Sequence, residues 1–342
     1  MIRIFLLVVL ICISCTYKQK ITQLPQAVTN NAVALVAQGD NFEIFSFNGL
    51  FSGKTSNDIN KRAFRYKNNK WKELKMPKDS QAVLASTAVN IGNKIYVIGG
   101  YTVASDDSEK SVADIYEFDT ILNQWRLVTK MPVPVDDTVA LVYESRYIYL
   151  ISGWHDTDNV DLVQVYDTKE NNWFNATPYP APAVFGHAGG IVGNKMIICD
   201  GVKVIKVKSQ KSFVSSPQCL KGEIDLTNPS QIKWNEIPHH SGIAYYRMAA
   251  TGSDNVNQIV FAGGSDNPYN YDGIGYDGTP SKASAKVFAF DLKNDLWKFY
   301  QDIPATMDHR ALLSNGEDFY IIGGMQGNQE VSDKVIKFKL LE

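Results

Sequence analysis

The sequence predicts an all-β protein: a six-bladed propeller of four-stranded sheets, closed by an N-terminal strand that completes the last blade. Three observations predict it. An apolar strand ending in a glycine doublet, or a close variant, returns about every 50–60 residues. A tryptophan follows each of the first five: Trp71, Trp125, Trp173, Trp234 and Trp297. No helical period is sustained anywhere after the first 20 residues.

The elements follow in order within each repeat. An apolar strand such as Ser86 to Ile91 leads through a short turn, Gly92-Asn93, into a β-branched and aromatic strand, Lys94 to Ile98. Equivalent second strands end at Phe47-Asn48-Gly49, Ile151-Ser152-Gly153, Cys199-Asp200-Gly201, Ala262-Gly263-Gly264 and Ile322-Gly323-Gly324. A variable loop follows, then a third strand such as Val163 to Tyr166. An Asp then precedes the Trp by a fixed six residues in Asp119 to Trp125, Asp167 to Trp173 and Asp291 to Trp297. The sixth repeat has no Trp strand after Val335 to Leu341. Ile21-Thr22-Gln23-Leu24-Pro25 reads as that missing outer strand, so the chain ends are expected to meet there, removing the sheet edge.

Residues 1–15 read as a signal peptide, 16–20 as a short linker and 21–342 as the propeller. Arg3 precedes an unbroken apolar run, Ile4 to Ile13, too short to span a bilayer but of signal-core length. Ser14-Cys15 follows, resembling a bacterial lipoprotein signal in which Cys15 is lipidated; ordinary cleavage near Ser14 is the alternative. Either implies a periplasmic or outer-membrane location in the bacterial cell envelope, with the membrane touched only through a lipid anchor. Cys199 and Cys219 then remain, as a disulfide or as two buried thiols. The formal net charge of −2 and scattered lysines exclude a basic nucleic-acid surface.

A meander brings the start of each innermost strand and the loop after the second strand to one face. Asp137, His187, Arg247, His309 and Arg310 are expected there from the strand starts, and Trp154, His155, Asp156, Asp266, Asn267 and Tyr271 from the loops. Paired guanidiniums suit a carboxylate, and aromatic faces with Asp and Asn suit a sugar. A water-filled channel with Arg–Asp pairs satisfying one another is the alternative. The long loop Ser265 to Gly278 has the length of a functional segment. His239-His240 reads as an exposed turn. No metal-ligand spacing, nucleophile motif or phosphate loop appears, so no cofactor or metal is expected.

The doublet–Trp unit resembles the kelch repeat, over roughly residues 21 to 342. Among exported bacterial kelch propellers the chain is similar to the N-acetylneuraminate epimerase (sialic acid mutarotase) group. The shared features are the export signal, six blades, the outer-strand closure and the long loop after Gly263-Gly264. That resemblance implies an isomerase acting on sialic acid, with a base and an acid near the anomeric centre and a cation for the carboxylate. His187, His309 or Asp137 would then move protons, and Arg247 or Arg310 hold the carboxylate. The family places its catalytic Glu straight after the glycine ending the second strand of blade four, where this chain has Val202. Three functions stay open: noncatalytic binding of a carbohydrate, another polar or carboxylate ligand, or a protein; a sugar epimerase or mutarotase; and an envelope interaction scaffold.

Overall fold

Six antiparallel sheets stand in sequence order in the computed structural model, which describes residues 21–38, 41–207 and 210–341. The signal segment and Cys15 lie outside the described residues. Blade one is Ala32–Gln38, Asn41–Phe47, Ala63–Lys67 and Lys70–Leu74. Blade two is Thr87–Ile91, Lys94–Ile98, Asp114–Asp119 and Gln124–Lys130; blade three is Val139–Tyr143, Tyr147–Ile151, Val163–Asp167 and Asn172–Asn175. Blade four is Ala188–Val192, Lys195–Cys199, Cys219–Ile224 and Ile232–Ile237; blade five is Ala249–Ser253, Gln258–Ala262, Val287–Asp291 and Leu296–Tyr300. Blade six pairs Leu313–Asn315, Asp318–Ile322 and Val335–Phe338. The helical pieces among the described residues are two 3-10 turns, Ser56–Asp58 and Gly327–Gln329.

Burial explains the arrangement. Second strands such as Tyr147–Ile151 are buried along their whole length, because a blade has a neighbour on each face. One large apolar cluster fills each of the six blade interfaces. Between blades four and five, for example, Ile197 and Ala188 meet Ile259 and Phe261.

The repeat signature has a physical cause at each position. The second glycine of each doublet has φ between 84° and 124°. A Cβ there would strike the strand start of its own blade: Asn31, Ser86, Thr138, His187, Met248 or His309. In blades two to five the Asp before the outer turn accepts the turn's own amides, as Asp119 Oδ1 does from Ile121 and Leu122, both at 2.9 Å. The outer Trp bonds to the preceding blade: Trp125 Nε1 donates to Lys75 O at 3.0 Å and Trp297 Nε1 to Pro238 O at 2.6 Å.

The same ladder identifies the closure. Trp71 Nε1 donates to Thr22 O at 2.9 Å, so Thr22 sits in blade six where Lys75 sits in blade one. Leu24 N donates to Asp333 O at 2.8 Å, as Met131 N does to Ala113 O in blade two. Residues 21–25 form no strand, so blade six has three strands and the expected fourth is a segment held to it by single hydrogen bonds. Pro25 offers no N–H, and the next bond to this blade is Val28 N to Ser332 O. Leu24 is 3% exposed inside the cluster shared by blades six and one. Deleting residues 21–25 should therefore cost about 2–5 kcal/mol, the range for emptying a buried Leu site. An unchanged melting temperature would refute this closure.

Cys199 and Cys219 are directly opposite each other on the two middle strands of blade four and form a disulfide.

Candidate functional site

At the start of each innermost strand one residue adopts positive φ: Asn30 (56°), Ala85 (51°), Asp137 (48°), Gly186 (61°), Arg247 (52°) and Asp308 (70°). These six turns form a closed belt around the axis. Asp137 N donates to Ala85 O, Gly186 N to Asp137 O, and Arg247 N to Gly186 O, at 3.3, 2.9 and 2.8 Å. His309 N donates to Arg247 O and Asn30 N to Asp308 O, at 3.1 and 3.2 Å. Ala85 N closes the circuit on Asn30 Oδ1 at 2.6 Å. Asn and Asp tolerate this conformation; Arg247 and Ala85 are held in it by the belt.

The residue before each belt position bridges to the residue after a glycine doublet: Thr29 with Leu50, Leu84 with Tyr101, Asp136 with Trp154, Phe185 with Val202, Tyr246 with Ser265, and Met307 with Met325. The expected convergence of the two sets is therefore present. The loops on this face rise above it. Three are hairpins where the sequence predicts loops: Tyr101–Val103 with Glu109–Ser111, Trp154–His155 with Asp158–Asn159, and Val202–Val207 with Gln210–Ser215. They enclose an off-axis cleft of about 210 Å³.

The cleft has aromatic walls and a charged floor. Trp154, Phe185 and Phe213 meet with ring centroids 5.4 to 5.9 Å apart, and Tyr276 stacks on Phe213 at 4.3 Å. Tyr101 and Asn270 complete the wall, and Glu109 and Asp136 place carboxyls in it. In the floor, Arg247 Nε and Nη2 bind Asp137 Oδ1 and Oδ2 at 3.1 and 2.5 Å, and Nη1 binds Asp308 Oδ1 at 3.0 Å. Thr29 Oγ1 and Asn30 Nδ2 also donate to Asp308, at 2.6 and 3.2 Å.

Proton affinities differ across the site. Burial and the neighbouring Asp137 charge push Asp136 well above the usual carboxylate range, although Ser111 Oγ donates to it at 2.6 Å. Burial also pulls Asp137 up, but the Arg247 and Arg310 guanidiniums outweigh it and hold it below its ordinary value. Glu109 is exposed as a residue, yet protein crowded around its carboxyl raises it against the pull of Arg247.

The sequence-predicted residues divide among several places. Asp137 and Arg247 form the cleft floor and Trp154 a wall. His187 and Arg310 stand at the heads of their inner strands below the belt, along the central channel, a cavity of about 380 Å³ lined by the six inner strands; the His187 ring turns onto Ile151 O, 2.8 Å away, and toward Tyr179. Burial lowers His187 to about 4. His309 is buried against Gly324, bonded to Thr306 Oγ1 at 2.8 Å, and lowered to about 3 by burial and by Arg310. Both histidines are neutral near pH 7 and lie outside the cleft lining. His155 turns its Nδ1 onto Pro134 O at 2.7 Å, and exposed Asp156 accepts Ser111 N at 2.9 Å. Asp266 is exposed beside the cleft-facing loop. Asn267 braces that loop through Asp277 and Thr279, and Tyr271 packs against the cluster of Leu50, Leu84 and Tyr101.

The pair His239-His240 departs from expectation: it is a buried clamp, not an exposed turn. His239 Nε2 donates to Asp200 Oδ1 at 2.6 Å and His240 Nε2 to Oδ2 at 3.0 Å. Asp200 is buried at the first doublet position, so its charge draws both rings inward. Together with Cys219 these groups offer ligand atoms within 4.8 Å of one another. Their chemistry does not fit a metal. Gly242 N donates to His239 Nδ1 at 2.8 Å, so the ring proton stands on Nε2, and the Cys219 sulfur is in the disulfide.

The residues that sequence reasoning left unassigned are Glu109, Asp136, Phe213, Asn270 and Tyr276. The alternation of Val202-Lys203-Val204 and its return at Phe213-Val214 is a hairpin signal. Glu109 carries no such signal.

Comparison with known proteins places the molecule. The profile of the attractin/LZTR1 β-propeller matches residues 44–336. Kelch-like protein 15 of Danio rerio is 23% identical over 78% of this chain, which spans 42% of that protein. An N-acetylneuraminate epimerase of Salmonella arizonae is 20% identical, with 75% of each chain covered. The solved structure of YjhT superposes with a TM-score of 0.72 at 15% identity, covering 94% of this chain and 97% of that one, which shows the shared fold. With six blades, a doublet in each and the family profile over most of its length, the chain belongs to the attractin/LZTR1 β-propeller family, of kelch type.

Proposed function

We propose that this protein is an exported propeller of the cell envelope that binds a carbohydrate in the mouth cleft. One observation carries the reading: an aromatic-walled cleft of about 210 Å³ into which Glu109, Asp136 and Asn270 place polar groups. Aromatic faces cover the apolar side of a sugar ring, while carboxyl and amide groups take its hydroxyls. The floor supports a neutral, hydroxyl-rich ligand over a carboxylate, because Arg247 already gives three of its N–H groups to Asp137 and Asp308. The disulfide suits an oxidising compartment.

A second reading, a sugar isomerase, is favoured by the raised carboxyls of Glu109 and Asp136 beside the same cleft. The similarity to an N-acetylneuraminate epimerase agrees with it. Val202 does not: it is fully buried against Phe185 and Tyr246, so any acid–base pair here would have to be Glu109 with Asp136.

The test is a calorimetric titration of neutral and acidic sugars chosen from a glycan array. Trp154→Ala should weaken a hit at least about tenfold, roughly 1.4 kcal/mol. No hit on the intact protein, or equal affinity in the variant, would remove the carbohydrate reading. NMR of anomer exchange on the same sugars separates binding from isomerisation: an unaltered rate leaves binding alone.

A further inference from the structure

We infer that the mouth cleft grips its ligand by a positively charged amine, as on an amino sugar, between the aromatic wall of Trp154, Phe213 and Tyr276 and the carboxyls of Glu109 and Asp136. The sugar part of this inference rests on the carbohydrate reading; the cation subsite does not.

The charges of the floor balance without a ligand. Arg247 and Arg310 pair with Asp137, and Arg247 also with Asp308. Glu109 and Asp136 line the cleft in addition to that set, and among the described residues neither is in an ion pair. Their carboxyls share one wall. Glu109 and Ser111 alternate to the same side of strand Glu109–Ser111, and Ser111 Oγ donates to Asp136 Oδ2 at 2.6 Å. Burial raises both carboxyls against the pull of Arg247, because a charge here lacks a counter-ion of its own. A cation entering the cleft supplies one.

The aromatic wall attracts the same charge, since ring faces are electron-rich. Tyr276 stacks on Phe213 at 4.3 Å, and Phe213 lies 5.8 Å from Trp154. The chain already rests a cation of its own on this wall: Lys211 Nζ stands 5.5 Å from the Trp154 ring centroid. Lys211 is exposed, two residues before Phe213 and on the same side of the hairpin. Among the described residues it has no acidic partner, so the ring face is the contact that holds its ammonium. A ligand amine reaching Trp154 competes with Lys211 for that face. It also has Glu109 and Asp136 to pair with, which Lys211 does not reach. A carboxylate ligand would meet those two carboxyls as like charges, and a neutral one would leave them uncompensated.

The experiment is a calorimetric titration of the folded protein at pH 7 and constant ionic strength. Its probes are choline and neohexanol, the neutral analogue in which carbon replaces the ammonium nitrogen. Choline should bind at least about tenfold tighter. Glu109→Gln, at an exposed position, should weaken choline at least about threefold. Lys211→Met should tighten it, because the competitor on Trp154 is gone. Equal affinity for choline and neohexanol overturns the inference. So does an unchanged choline affinity in Glu109→Gln, or one that fails to rise in Lys211→Met. For the sugar part, D-glucosamine should bind tighter than D-glucose and N-acetyl-D-glucosamine; any other result overturns the amino-sugar class. The two readings fail separately. A cleft that prefers choline while no sugar binds refutes the carbohydrate reading, and one that binds sugars without preferring choline refutes the cation subsite.

Discussion

Arg247→Met should lower the unfolding free energy by about 3–5 kcal/mol, the range for removing one partner of a buried ion pair. The guanidinium is 2% exposed and is shared between Asp137 and Asp308, themselves at 2% and 0%. Met fills much of the volume but leaves two buried carboxylates short of a counter-charge. The belt also loses an anchor, since Arg247 contributes both its side chain and its backbone there. The rings of Tyr246 and Tyr269, 4.8 and 5.5 Å from the guanidinium, lose their cation contact as well.

Acid provides the discriminating measurement. Asp137 has a lowered pKa in the folded protein, so the unfolded chain binds the extra proton. Its stabilisation is present above the ordinary carboxylate value, about 3.9. It is lost as pH falls through the lower folded value. Removing Arg247 takes away the leading charge that holds Asp137 down. The variant should therefore lose less stability in acid than the parent, and the gap between them should narrow from pH 7 to pH 3. Urea midpoints at the two pH values read this directly. An equal deficit at both would show that packing, not charge, carries the effect.

Breaking the Cys199–Cys219 disulfide should cost about 3 kcal/mol, the chain-entropy value for a loop of this size. The two residues are 20 apart in sequence, and the hairpin Val202–Val207 with Gln210–Ser215 lies inside the loop they close. Both sulfurs are fully buried in the cluster between blades four and five, so the double Ala variant also leaves a small void. The hairpin carries Phe213, a wall of the cleft. The double Ala variant is therefore expected to melt lower and to bind any cleft ligand more weakly. A melting temperature equal to that of the oxidised parent would show that the sheet register alone holds this blade.

Much of the architecture is legible because each repeat restates short-range requirements. The Asp of the outer turn needs its amides two and three residues on. The second doublet glycine needs no Cβ because the strand start of the same blade rests on it. The outer Trp needs a carbonyl on the neighbouring blade, and residues 21–25 could be assigned to blade six because the sixth repeat has no Trp strand of its own and Pro25 trails the segment as a Pro does in other repeats. Cys199 and Cys219 flank one loop between two paired strands, so their meeting was open to inference though not decided.

The site was legible only in outline. The gathering of Asp137, Arg247 and Trp154 on one face follows from the up-and-down course of each blade. Which side of the belt a residue serves does not. Asp137 and Arg247 are 110 residues apart, and their pairing depends on positive φ at both and on how far neighbouring blades rotate. His187 stands one position beyond the belt and packs over Gly201, whereas Arg310 stands two positions beyond it and reaches Asp137. Glu109 reaches the cleft from a polar hairpin, Phe213 from another, and neither has a local partner that marks its destination.

The sequence by itself determined the six blades and the face where the loops collect, because these rest on spacings within one repeat, and it placed the closure because one repeat lacks its outer strand. Tertiary structure alone decided that Arg247 is consumed by Asp137 and Asp308, that Arg310 also pairs with Asp137, and that Asp200 binds two histidines. The arginine pairings depend on charge and burial shared between blades, and no single repeat contains both partners; the histidine clamp depends on the trailing segment of blade four folding back over its own doublet.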